Sequence, residues 1–294
     1  MRSSTTYLAH PPKATLPNRR FGLLRIAMAL VLIQVSSVAF AADFPGFERL
    51  LLPVIVNKPI DGVGGARWQT VLTLTNASSI PQKVLLLQQL QDAIVCMLCP
   101  PETTVPPNFT YFPKLATVRE GGGAFIYIDR AHADDVQLDL RAQDVSRPDT
   151  HWGTALPVVR DRNFRDGSVT LSDLPVSQEF RSRIRVYGAD VLRPVGVRFT
   201  VWGIPNRDVD VRSGDQLLGT IDYSLLPQLS DPGFPNQFSP STLEVANIES
   251  ALPAMGYTRL RIDIAPRVPG TRIWAFATVT SNQTQQISVI EPFR

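Results

Sequence analysis

DGVGGARWQTVLTLTNASSIPQKVLLLQQL, residues Asp61–Leu90, is the stretch from which the fold can be read. In an extended chain Trp68, Thr70, Leu72 and Leu74 fall on one side and Gln69, Val71, Thr73 and Thr75 on the other, the two-residue period of a β-strand. Asn76–Pro81 then supplies an Asn, two Ser and a Pro, which bond to local backbone or hold φ fixed, so the chain turns here. Val84–Leu90 resumes as an apolar run, and the spacing predicts an antiparallel hairpin. Gly62, Gly64 and Gly65 precede the strand, where a backbone without Cβ can bend sharply.

The pattern returns in the second half of the chain. Phe180, Ser182, Ile184 and Val186 alternate with Arg181, Arg183 and Arg185; Gly188–Pro194 turns; Val195, Val197, Phe199 and Val201 alternate with Gly196, Arg198 and Thr200. Trp68 and Phe180 are 112 positions apart and Pro81 and Pro194 are 113 apart, so the two stretches superimpose with one inserted turn residue. Upstream, Leu52-Pro53-Val54-Ile55 is echoed by Leu156-Pro157-Val158-Val159. Downstream, the alternation in Gly123–Asp129 is matched with that in Arg272–Thr280, and the closing runs Val136–Leu140 and Ile287–Ile290 with each other. Two copies of domain size indicate a duplication, not a solenoid.

The run Gly62-x-Gly64-Gly65-x-x-Trp68-x-Thr70-x-Leu72-x-Leu74-x-Asn76, followed by a short turn and an apolar strand, resembles a module that recurs in exported bacterial proteins of uncharacterised function. The module often carries an Asp after the Thr, where this chain has Val71. The resemblance implies a secreted, immunoglobulin-like β architecture and brings with it no activity and no catalytic residues.

At the N-terminus Arg2, Lys13, Arg19, Arg20 and Arg25 stand without an acid, Ile26–Val38 is apolar, and Ala39-Phe40-Ala41 is a small-x-small site. Residues 1–41 therefore read as a cleaved signal peptide; the apolar run falls short of the roughly 20 residues a membrane helix needs. Subtracting the five positive charges of this leader from the formal +3 leaves −2, so the basic pI belongs to the leader. With no extended basic run beyond it, nucleic acid is not an expected partner. No later stretch has the length of a transmembrane span, and localisation is expected to be periplasmic or extracellular.

The remaining 42–294 is long enough for two domains of about 100–150 residues. Twenty-five prolines and the lack of a 3.6-residue apolar stripe argue against helices. The expected fold is all-β, two tandem immunoglobulin-like β-sandwich domains at 42–147 and 148–294, related by internal duplication.

The residues that could carry function are few. Cys96 and Cys99 are the only cysteines, and in an exported chain they are expected to form a small disulfide loop. Pro100-Pro101 discourages the helix a redox pair would start, and no further ligands accompany the pair to make a metal site. Long Pro-rich loops in both halves carry Tyr111, Phe112, Phe234 and Phe238, which either form a binding edge or seal the ends of the sandwiches. Arg181, Arg183, Arg185 and Arg198, with Arg259 and Arg261, share outward faces and could grip carboxylates or phosphates, unless neighbouring acids pair with them. Residues 148–294 hold 15 Arg and 15 Asp plus Glu, a balance that favours pairing.

There is no nucleophile elbow, zinc-protease helix, phosphate loop or dinucleotide fingerprint, and no cofactor or metal is expected. Asp208–Asp215 resembles a calcium loop only superficially, because Arg212 occupies a ligand position. The expected function is that of an exported, non-enzymatic binding or structural protein, with an extracytoplasmic protein or a glycan as partner. The alternatives are a carbohydrate-binding module and a glycan-acting hydrolase with dispersed carboxylates.

Overall fold

The computed structural model describes residues 44–86, 89–90, 94–95, 102–115, 120–147, 153–191, 193–205, 214–227, 238–251 and 257–293, which fall in one compact unit. Cys96, Cys99 and Phe234 lie outside the described residues, as do residues 1–41, the expected leader. The first strands are β1 (Phe47–Ile55), β2 (Ile60–Asp61), β3 (Arg67–Asn76), β4 (Gln82–Leu85), β5 (Gln89–Leu90), β6 (Ile94–Val95), β7 (Glu102–Val105), β8 (Phe109–Tyr111), β9 (Gly122–Asp129) and β10 (Val136–Asp144). Then follow β11 (Thr154–Leu156), β12 (Val159–Arg160), β13 (Val169–Pro175), β14 (Phe180–Gly188), β15 (Val195–Ile204), β16 (Gln216–Leu225), β17 (Ser241–Ala246), β18 (Arg259–Pro266), β19 (Ile273–Ser281) and β20 (Ile287–Ile290). Helical elements among the described residues are short 3-10 turns.

Four antiparallel sheets make the body of the protein. Sheet 1 runs β12-β1-β9-β4-β7, and sheet 2 runs β11-β10-β3-β2 with β8 also on β3. Sheet 3 runs β17-β14-β19-β20 and sheet 4 runs β13-β18-β15-β16. Leu50, Leu52 and Ile126 of sheet 1 share one core with Leu72, Leu74 and Leu140 of sheet 2. Ile184, Val186 and Ala275 of sheet 3 share a second with Val197, Phe199 and Ile262 of sheet 4. Both pairs are consistent with β-sandwiches, and each fully buried aliphatic side chain contributes about 1.5–3 kcal/mol.

Strand order is the same in the two pairs. β1-β9-β4-β7 matches β13-β18-β15-β16, and β8-β3-β10-β11 matches β17-β14-β19-β20, each strand in the same chain sequence. This order sets β9 opposite β18, whereas the alternation of apolar residues had matched Gly123–Asp129 with Arg272–Thr280; β10 is the strand opposite β19. Beyond the expected boundary at 147/148, β11 and β12 pair with β10 and β1 of the first half.

The turn at Asn76–Pro81 does not close a hairpin. β3 pairs with β10, β2 and β8 while β4 pairs with β9 and β7, so the chain crosses from one sheet to the one facing it. β14 and β15 divide between sheets 3 and 4 in the same way. Alternation states which side of each strand is apolar, and two strands facing each other across a core satisfy it as well as two neighbours in a ladder. Asn76, fully buried, fastens the first crossing. Its Nδ2 donates to the carbonyls of Ile80 (2.8 Å), Val105 (3.1 Å) and Pro106 (3.0 Å), and its Oδ1 accepts from Ser78 N and Oγ.

The two sandwiches meet where sheet 1 lies on the outer face of sheet 3. Tyr187, Trp274 and Phe276 of sheet 3 belong to the first core, so β1 and β9 are covered on both faces. Gly123 allows this approach, because a Cβ there would lie 2.8 Å from Tyr187 Cε1 and 3.1 Å from Pro240 Cγ. Tyr187 Oη donates to the carbonyl of Pro53, and burial pushes its phenol pKa up. Asp161, just after β12, accepts from Arg49 Nε (3.0 Å) of β1 and Arg272 Nη1 (2.9 Å) ahead of β19, tying the halves together. Burial raises its pKa, but the Arg49 charge and the hydrogen bonds from both guanidinium groups outweigh that and hold the carboxyl below its usual range.

Candidate functional site

The outer face of sheet 3 changes character along its length. On β14, Ile184 and Val186 point into the second core, which leaves Arg181, Arg183, Arg185 and Tyr187 on the opposite side. Register sets Thr280 beside Arg181, Thr278 beside Arg183, Phe276 beside Arg185 and Trp274 beside Tyr187. On the other flank β17 sets Glu244 beside Arg185 and Ala246 beside Arg183. The aromatic end is covered by sheet 1; the Arg/Thr end opens into a cleft of about 690 Å³.

Sequence and topology build the opposite wall from Trp68, Gln69 and Thr70 at the start of β3, with Asp61 of β2 and Glu120. A Cβ at position 62 would lie 2.6 Å from Trp68 Nε1, so Gly62 is what lets the indole lie against the strand before it. The volume is that of a site for a small ligand, commonly about 300–1,000 Å³.

Charge is distributed unevenly over these walls. Arg185, 8 % exposed, donates through Nε to Glu244 Oε2 at 3.1 Å, and Arg183 Nε lies 3.2 Å from Oε1 of the same carboxylate. Arg181 donates to two neutral amides, Asn282 Oδ1 (2.9 Å) and Gln285 Oε1 (2.7 Å). Of the three guanidinium groups in a row on β14, two thus share the Glu244 carboxylate and the third faces neutral amides. Across the cleft, Asp61 is almost wholly exposed and 3.8 Å from Arg67, and Glu120 accepts from Asn57 N. Arg181, held in place by neutral oxygens, can take an anion without first breaking an ion pair.

The residues singled out from sequence part company in the structure. Arg181, Arg183 and Arg185 come together in the cleft, but Arg198 lies on β15 in sheet 4 and does not join them. It makes two bonds to Asp222 (2.8 and 3.1 Å), which hold that carboxyl below its usual range. Arg259 and Arg261, also in sheet 4, face Asp173 and Asp215. Phe238 is buried at 2 % exposure against Phe44 and Tyr127, sealing the meeting of the halves, so it does not form part of a ligand surface. Tyr111 is half-buried on β8, Phe112 is 63 % exposed, and neither lines the cleft. Sequence alone does not mark Trp68, Glu244, Thr278 and Thr280 as site residues. The alternation in Ala277–Thr280 was visible, but only the register of β19 on β14 puts its threonines beside arginines.

Among the described residues no group of three or more His, Cys, Asp and Glu is placed to hold a metal ion, and no helix is long and apolar enough to cross a membrane. No family model matches the chain, and no curated protein or solved structure matches it either.

Proposed function

We propose that this chain is an exported, non-enzymatic binding protein made of two immunoglobulin-like β-sandwiches that arose by duplication, and that its ligand is seated in the cleft between them. The observation that carries the binding reading is the arginine row: Arg181, Arg183 and Arg185 line a cleft and, among the described residues, Glu244 is the one carboxylate ion-paired with them, while Arg198, Arg259 and Arg261 on sheet 4 each face an acid. The strand order common to the two halves supports the duplication, and the basic, apolar and small-residue succession of 1–41 supports export.

A mixed panel of neutral oligosaccharides, acidic oligosaccharides and acidic peptides tests the reading. Saturable binding of anionic members is expected, weakened at high salt because part of the cleft is open to solvent, and lost in the Arg181→Gln/Arg183→Gln protein. The absence of any binding that depends on these arginines would overturn it. Release of new reducing ends, abolished by Glu120→Gln or Glu244→Gln, would instead establish the hydrolase. For export, the protein recovered outside the cytoplasm is expected to begin at Ala42; recovery of intact chain in the cytoplasm alone would remove that part.

A further inference from the structure

We infer that the ligand is an acidic saccharide whose carboxylate is taken by Arg181 and Arg183, whose hydroxyls bond to Thr278 and Thr280, and whose ring faces Trp68. This rests on the reading of the cleft as the ligand's seat. Three features of the cleft lead to this class.

The first is the cation row itself. Alternate side chains on a strand stand about 7 Å apart, so neighbouring guanidinium groups can each reach a separate charge or share one between them. Arg183 is half exposed and shares Glu244 with Arg185, and among the described residues no carboxylate offsets the charge of Arg181, whose two acceptors are neutral amides. Guanidinium forks match planar carboxylates, and bonds between ionised partners are the stronger kind.

The second is the company the arginines keep. Thr278 and Thr280 stand beside them in register, and Thr70, Gln69 and Asn247 also line the cleft. Hydroxyls and amides both donate and accept, as ligand hydroxyls require. Trp68 adds a large apolar surface to the same cavity.

The third separates a saccharide from an acidic peptide. One recurring way for an extended peptide to bind is by adding a strand to a free sheet edge. The arginine row lies on β14, an inner strand whose backbone is paired with β17 on one side and β19 on the other, so it offers only a face. A ligand read from a face must supply its own polar groups, as a sugar does.

Calorimetric titration of protein expressed from the full-length sequence, against trigalacturonate, galactotriose, tetraglutamate and inorganic sulfate, tests the inference. Trigalacturonate is expected to bind at least tenfold more tightly than galactotriose, and at least tenfold more weakly to Arg181→Gln/Arg183→Gln protein with an unchanged melting temperature. Should that protein fail to fold, Thr280→Val serves as the second variant, with a several-fold loss expected for trigalacturonate and none for sulfate. Tighter binding of tetraglutamate than of trigalacturonate, dependent on the same arginines, would overturn the saccharide and leave the cleft reading standing. Equal affinity for sulfate and trigalacturonate would overturn it too, since the site would then sense charge alone. Binding indifferent to the arginines, or none, would overturn both.

Discussion

Arg181 donates to Gln285 Oε1 at 2.7 Å, and Gln285, buried and at φ 60°, is held in turn by its own Nε2 bond to Asn282 O at 2.9 Å. An amide therefore aims the guanidinium without cancelling its charge. Replacing Gln285 by Glu keeps the shape and adds a counter-charge. Affinity of the cleft for anions is expected to fall about three- to fivefold, the scale of one partly exposed ion pair at about 1 kcal/mol, in a titration at low salt. Gln285→Glu protein that bound anions as tightly as the parent would show that Arg181 takes no part.

Asp161 joins Arg49 of β1 to Arg272 of sheet 3, and its depressed pKa ties the union to pH. A carboxyl whose folded pKa lies below the unfolded value of 3.8 contributes stability that is present above that value and lost as pH falls through the folded one. Asp161→Asn is expected to cost about 2–4 kcal/mol at neutral pH, because it leaves the largely buried Arg49 without its anion. Denaturant melts at pH 7 and pH 3 check this: the difference between parent and variant should shrink at the lower pH.

Asn76 spends its Nδ2 protons on three carbonyls. Asn76→Asp would turn an acceptor toward those oxygens, and Asn76→Ala would leave them without a donor. The alanine is expected to lower stability by about 1–3 kcal/mol and the aspartate by more. Urea unfolding midpoints rank the two, and the reverse order would contradict this account of the crossing.

Tyr187→Phe removes only the bond to the Pro53 carbonyl from the seam between sheets 1 and 3. A loss of about 1–2 kcal/mol is expected. Gly123→Val drives a side chain into Tyr187 and Pro240 and should cost more than Tyr187→Phe. Thermal unfolding of both proteins gives the comparison; equal melting temperatures for parent and Gly123→Val would mean that the seam yields freely.

Much of this protein is legible in its local pattern. Leu72, Leu74, Ile184 and Val186 are buried where alternation places them, and Arg181 and Arg183 emerge on the other side of their strand. Strand type and facing follow from covalent geometry, which turns successive side chains to opposite sides whatever the rest of the chain does. Asn76 and Pro81 likewise mark a turn by their own chemistry.

What that turn connects was decided elsewhere. β3 and β4 face one another instead of pairing, because the partners that complete their ladders, β10 and β9, lie much further along the chain, Asp144 opposite Trp68 and Ile128 opposite Val84. Arg185 is buried although its strand pattern points it outward, since another sheet lies over that face; Phe238 is drawn into the same seam. A two-residue period records that a face is polar or apolar, not what covers it. The cleft, and the threonines beside its arginines, exist only once residues about a hundred positions apart have met, and it is the free energy of those distant contacts that selects the register.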